Sequence, residues 1–387
     1  MWRRSSALIS SENRLTLAAM AAQTRTPVTT IAFPILAIAF VILAPLVGFD
    51  GTQALSARSL TISAVMIGIM LGAIFAAVHH ADVIAHRTGE PYGTLVLTLA
   101  VTVIEVALIE SIVLMPNSSP ALARDTVFAV IMIVCNGLVG LCILVGGLRH
   151  HEQEFQISGT GVYLIVLGAL SVLTLVLPNY TIAAPGPYFS TAQLVFVSVH
   201  TIVLYATFLF VQTSRHVDYF RADDDTAPDG RHIYPSNPEV AASAVLLIAA
   251  LCGVILVAKK FATILETGLS FIGAPQAVAG VIIAMVVLTP ESISAVQAAR
   301  RDVLQKSLNL ALGSSLATIG LTIPAVALTN IFLGRGLELG LSARDTLLLA
   351  LTLFMSLVTF GTGRTNILAG LVHLIVFATF LFLVFIP

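Results

Sequence analysis

The sequence predicts an all-α, polytopic membrane protein of about eleven transmembrane helices: one leading helix, then two inverted five-helix repeats. Three observations carry this. Of 387 residues, 57% are hydrophobic and only 10% are charged, whereas a soluble domain carries about 25% charged residues. Eleven apolar stretches approach the length of about 20 residues that crosses a bilayer. Finally, two halves of five spans each repeat a pattern built around one intramembrane glutamate.

Residues 1–28 read as a cytosolic tail with Arg3, Arg4, Arg14 and Arg25. A transit peptide containing Ser and Arg is the alternative reading of that tail. The apolar run at 29–48 exceeds a signal-peptide core of about 7–15 residues, so 29–59 reads as a leading transmembrane helix and its loop. The first five-helix repeat, 60–213, has spans at 60–80, 93–115, 125–147, 160–178 and 190–213. A polar loop over 214–239 follows, with Asp218, Asp223, Asp224, Asp225 and Asp229. Such composition reads as a solvated cytosolic loop. The second repeat, 240–387, has spans at 240–258, 272–297, 306–330, 342–362 and 366–386. Pro and Gly clusters punctuate the gaps, as in Pro116-Asn117-Ser118-Ser119-Pro120 and Ala184-Pro185-Gly186-Pro187.

Lys and Arg set the orientation. With the N-terminus cytoplasmic, six of the 19 positive residues fall outside (Arg58, Arg124, Lys259, Lys260, Arg335, Arg344) and the rest inside, among them Arg87, Arg149, Arg215, Arg300, Arg301, Lys306 and Arg364. Lys259-Lys260 is the main dissent.

The repeats align on two segments. Gly93–Leu108 leads to Arg124-Asp125 and then Asn136-Gly137; Gly280–Ala295 leads to Arg301-Asp302 and then Gly313-Ser314. A set of five spans is odd, so the second inserts upside-down. Inverted repeats with a midplane site between them are a transporter architecture.

Glu105, Glu110 and Glu291 are the acids placed well inside spans, with no Lys or Arg at comparable depth. An ionised side chain at the bilayer centre costs at least about 2.5–3.5 kcal/mol. These carboxyls must therefore be protonated, bind a cation or face water. Thr94, Thr98 and Thr102 share a helix face with Glu105. Their hydroxyls either serve a cation or bond back to their own helix. Glu291 follows Thr289-Pro290, where proline removes a backbone donor and frees a carbonyl. Gly280 and Ala284 on the same face permit close helix approach. Glu110 points away from Glu105 and reads as a vestibule or headgroup residue. Asn136, Asn309, Ser314 and Ser315 gain weight as supporting residues from their place in the repeat, beside Ser314, Thr318 and Thr322 at four-residue spacing. His200 and His373 read as helix-packing hydrogen bonders rather than ligands; the other seven histidines sit at or near cytosolic ends, where interfacial placement is the plainer account.

A net charge of −1 gives no sign of nucleic-acid binding. No P-loop, kinase set, HExxH or GxSxG occurs, so no nucleotide and no enzyme chemistry is expected, and an ion gradient is the remaining energy source. Cys135, Cys142 and Cys252 read as apolar fillers; no resident cofactor is implied, the partners are the lipid bilayer and inorganic cations, and nothing sets the oligomeric state.

The stretches GEPYGTLVLTLAVTVIEVAL, LTPESISAVQAARRDVLQKSLNLALGSSLATIGLTIP and FGTGRTNILAGLVHL resemble bacterial ChaA-type calcium/proton antiporters of the cation/calcium exchanger superfamily. The likeness runs from about residue 60 to near the end. It implies the eleven-span inverted-repeat fold, a bacterial inner membrane, and Glu105 and Glu291 as the acids that carry cation and protons. In the wider superfamily an Asn stands three residues before each acid; here Thr102 and Leu288 stand there. Relatives of this branch also exchange sodium or potassium for protons. The expectation is therefore a secondary antiporter exporting calcium against protons, with a mainly sodium/proton or potassium/proton antiporter and a passive cation channel as alternatives.

Overall fold

Lipid offers no hydrogen bonds, so a chain this apolar must satisfy its backbone within helices. The computed structural model, which describes residues 27–49, 56–89, 92–115, 118–221 and 235–386, meets that demand with eleven spanning helices. They are α1 (Val28–Leu46), α2 (Ala57–Thr88), α3 (Tyr92–Val113), α4 (Leu122–His150), α5 (Ile157–Tyr180), α6 (Thr191–Arg215), α7 (Asn237–Ile272), α8 (Ala277–Arg300), α9 (Leu304–Leu333), α10 (Ala343–Phe360) and α11 (Ile367–Phe385). Almost all of the expected tail and the centre of the acidic loop, including Asp223, Asp224, Asp225, Asp229 and His232, lie outside the described residues.

Local sequence explains where the helices begin and end. Ser56 and Ser190 cap α2 and α6 in reciprocal boxes with Ser59 and Gln193. Asn366 caps α11 through the amides of Leu368 and Ala369. The α7 helix stops at Gly273, whose φ of 65° suits glycine.

Two spans are longer than expected. The α2 helix has 32 residues and α7 has 36, about 48 and 54 Å at 1.5 Å per residue, against a hydrocarbon core of about 30 Å. The stretch after Lys259-Lys260 is helix, not loop. The lysines end the apolar run without breaking the backbone pattern, and Lys260 reaches out to the carbonyl of Phe49 at 3.4 Å.

The leading α1 packs against both α2 and α7. The α2–α6 and α7–α11 sets enter from opposite faces, because five crossings separate α2 from α7. The α4 helix is the most enclosed span. It meets α8, where a side chain on Gly280 would press on the backbone of Asp125 and Thr126. It also meets α11, where Gly140 and Gly370 face one another.

Each face carries a tie. On one, β1 (Glu152–Glu154) pairs antiparallel with β2 (Arg364–Asn366), closing Arg364 on Glu154 at 2.8 Å. On the other, Arg124 joins Asp125, Glu338 and the Gly340 carbonyl.

The helix α8 runs unbroken through Pro290, so the expected disruption reduces to the one carbonyl, that of Val286, which proline leaves without its donor. Irregular backbone appears instead as π-helical turns, including Ile133–Leu138 in α4 and Thr318–Thr322 in α9. Such turns occur often at functional sites. Cys135 and Cys142 are buried, and Cys252 is exposed on α7.

Candidate cation site

The helices α3, α6, α8 and α9 surround a cavity of about 240 Å³. Glu105 and Glu291 both line it, with Thr94, Thr98 and Thr102 from the face anticipated on α3. Counting along the helices, Glu105 lies about 12 Å from the far end of α3 and Glu291 about 14 Å from the near end of α8. The cavity wall also includes Gln212 near the end of α6 and Lys306 and Asn309 near the start of α9. These ends share the face of Arg87, Arg149, Arg300 and Arg301, so the cavity opens toward that face.

Glu105 is 3% exposed. Its Oε2 accepts from Thr318 Oγ1 at 3.0 Å, while Oε1 has no partner. Glu291 Oε2 is shielded and unpartnered as well. Thr102 and Thr322 present buried hydroxyls without partners, and Thr322 lies beside the Glu105 carboxyl. A buried polar atom without a partner costs about 1–3 kcal/mol. Of these residues, Thr102, Glu105 and Glu291 bring their unpartnered oxygens to the cavity wall.

Thr318 has a choice. Its hydroxyl lies 3.0 Å from Glu105 Oε2 and 3.0 Å from the carbonyl of Ser314, yet it carries one proton. With Glu105 ionised, that proton belongs on the carboxylate. With Glu105 protonated, it returns to the Ser314 carbonyl, and the Thr318 oxygen accepts from the acid.

The other expected residues divide. Thr98, Thr102, Asn309 and Ser314 line the cavity; Asn136, Thr289 and Ser315 do not. Asn309 has little capacity left, since Nδ2 donates to the Phe220 carbonyl and Oδ1 accepts from Gln305. Thr289 bonds back to Met285 O at 2.7 Å. Ser315 is fully buried with a free hydroxyl.

Asn136 belongs to a separate network. A one-way chain runs from Thr359 to His373 Nε2, from His373 Nδ1 to Asn136 Oδ1, and from Asn136 Nδ2 to Thr352, then to the Leu348 carbonyl. It holds α4 to α10 and α11 with a neutral imidazole. His200 bonds to the Phe196 carbonyl of its own helix. His80, expected at the interface, is instead fully buried between Ser243 and the Thr30 carbonyl. Glu110 does not line the cavity; its carboxyl oxygens are shielded without hydrogen bonds, beside Thr329.

Sequence reasoning did not select Thr318, Thr322, Tyr205, Gln212 or Lys306. The four-residue spacing of Ser314, Thr318 and Thr322 was a usable signal. Lys306 and Gln212 gave none, because their place at the mouth depends on how α6 meets α9.

The sodium/calcium exchanger protein family matches residues 58–214 and 242–386. The chain is 48% identical over 332 residues to putative ionic transporter y4hA of Sinorhizobium fredii, covering 85% of this chain and 90% of that protein. It is 38% identical over 368 residues to the sodium-potassium/proton antiporter ChaA of Escherichia coli, covering 94% and 98%. Its fold is similar to that of YfkE (TM-score 0.66, 16% identity, 92% of this chain and 100% of that one). It is also similar to the H+/Ca2+ exchanger CAX (TM-score 0.63, 16% identity, 91% and 88%).

Proposed function

This chain belongs to the sodium/calcium exchanger protein family, a family of multi-pass membrane transporters and not of enzymes, and from that premise we propose that it is a secondary cation/proton antiporter in which Glu105 and Glu291 carry protons and cation in turn. The observation that carries the reading is the convergence of both carboxyls, each with an unpartnered oxygen, on one cavity.

Without a cation, two ionised carboxylates in a lipid-shielded cavity repel and lack hydration, so they take up protons. A cation that enters can replace those protons on the same oxygens. Calcium takes about six to eight oxygen ligands. The two carboxylates, the hydroxyls of Thr98, Thr102 and Ser314, and water in the cavity supply donors of that class. Up to two protons leave for each calcium bound. Movement of one helix group against the other then exposes the loaded site to the opposite face. We assign the cation to calcium exported from the cytosol, across a bacterial inner membrane with the N-terminus cytoplasmic, and take 60–213 and 240–387 as the two inverted repeats.

A second reading, sodium/proton or potassium/proton exchange at the same site, is favoured by the 38% identity to an antiporter named for those ions. Purified protein in proteoliposomes with an internal pH dye separates the two. Calcium, sodium and potassium chlorides are added one at a time, to wild type and to Glu105→Gln and Glu291→Gln. Each variant should lose cation-driven proton flux. Undiminished flux in either would refute the two-carboxylate scheme, and single-channel current steps would replace exchange with a channel.

A further inference from the structure

Away from the transport cavity, Arg149, His150, Gln297, Arg300 and Arg301 line an open surface cleft of about 540 Å³ where α4 and α8 end together. His150 Nε2 bonds to the Arg300 carbonyl at 3.2 Å and fixes one helix end against the other.

The three guanidinium groups are exposed, and none has an acidic partner among the described residues. Three other arginines of the same face are engaged: Arg364 with Glu154 at 2.8 Å, Arg221 with Asp218 at 3.5 Å, and Arg87 with Asn237 at 2.9 Å. Asp302, next to Arg301 in the chain, receives Gln153 at 2.8 Å and lies 4.0 Å from His150, not on the arginines. Three fixed positive charges thus share one open space.

The same two helices also expose apolar side chains along their length. Leu148 is 67% exposed and Leu141 40% on α4; Ile293 is 44% exposed and Met285 41% on α8. Spacings of seven and eight residues align each pair along its helix. A soluble anion needs only the arginines. A ligand with a phosphate head and acyl chains would use both parts of this surface.

We propose that Arg149, Arg300 and Arg301 form a phosphate-binding site at headgroup depth, and that its ligand is an anionic phospholipid seated between α4 and α8. Guanidinium groups pair with phosphate oxygens two at a time, and a basic pocket between spanning helices suits an acidic headgroup. The site is separate from the cavity, but Arg300 and Arg301 close the helix that carries Glu291.

Native mass spectrometry of the full-length protein in mild detergent tests this, with phosphatidylglycerol and phosphatidylcholine titrated separately. Wild type should retain one phosphatidylglycerol in preference to phosphatidylcholine. At about fivefold per arginine, the variant Arg149→Gln/Arg300→Gln/Arg301→Gln should bind it on the order of a hundredfold more weakly. Arg364→Gln, which removes a paired charge from the same face, should bind as wild type does and reports on folding. Displacement of the lipid by millimolar inorganic phosphate would reassign the site to a soluble anion and overturn the lipid assignment. Equal binding of both lipids, or undiminished phosphatidylglycerol binding by the triple variant, would overturn the site itself.

Discussion

Replacing Thr318 by valine removes a hydroxyl and keeps the shape. In the wild type that hydroxyl lies 3.0 Å from Glu105 Oε2, and Oε1 already lacks a partner. The variant removes the donor that Glu105 holds at hydrogen-bond distance and leaves the Thr322 hydroxyl as the one beside its carboxyl. A hydrogen bond to a charged group contributes about 1.5–3 kcal/mol, and one between neutral groups about 0.5–1.5 kcal/mol. The cation-loaded site, with Glu105 ionised, loses the stronger bond. The proton-loaded site loses the weaker one, since there Thr318 accepts from the neutral acid and its own proton returns to Ser314 O. The difference, roughly 1–1.5 kcal/mol, favours the proton-loaded state, and about 1.4 kcal/mol is a factor of ten. Thr318→Val should therefore raise the half-saturating cation concentration about five- to tenfold at fixed pH, read by dye dequenching in proteoliposomes. Thr318→Ser keeps the hydroxyl and should stay within about twofold. A valine variant with the wild-type half-saturation would refute the proposal that Thr318 supports an ionised Glu105, and so would an equal loss in the serine variant.

Lys306 gives a test of valence. Its side chain is exposed on the cavity rim and has no acidic partner among the described residues; it lies about 12 Å along α9 from Ser314. A fixed positive charge repels an entering ion in proportion to that ion's charge. Lys306→Gln should lower half-saturation about twofold for sodium and about fourfold for calcium, with the gain fading in 1 M salt, where screening acts over about 3 Å. Equal factors for both ions would remove Lys306 from the entry path. The Asn136–His373 network predicts the opposite kind of result. Asn136→Leu or His373→Phe strands a buried polar partner and should cost about 1–3 kcal/mol of stability, seen as a lower melting temperature. The double variant should cost less than the sum of the singles. Cation half-saturation in these variants should hold near wild type; a shift as large as that of Thr318→Val would place the network in the site.

The legible part of this molecule is what lipid makes expensive. Each span had to announce itself by length, because backbone in hydrocarbon has few alternatives to helix. Glu105 and Glu291 stood out because an acid there needs a reason, and the Thr94–Thr98–Thr102 face followed from helix spacing alone. The boundary errors have a matching cause. Lys259-Lys260 ended an apolar run, but hydropathy reports where a helix leaves the membrane, not where it stops. Gly273, with its positive φ, does the stopping.

Partner identity was hidden for a different reason. Repeat register elevated Asn136 and Ser315, yet the structure gives Asn136 to His373 and Thr352 and leaves Ser315 outside the cavity. The π-helical turn at Ile133–Leu138 explains part of this: Asn136 lies within it, while Gly313 and Ser314 precede the turn of α9, so positions equated by counting need not face the same way. The turn at Thr318–Thr322 begins at the residue that reaches Glu105. Counting from Arg301-Asp302 favours Ser314, but the Glu105 carboxyl meets Thr318, one α-helical turn further along. The two repeats thus share a plan and divide the work unequally. One π turn supplies a hydroxyl to an acid, and the other holds an asparagine in a buried clasp. A site assembled this way is asymmetric about its own pseudo-twofold axis, so Glu105→Gln and Glu291→Gln should not be equivalent in cation affinity even if both abolish exchange.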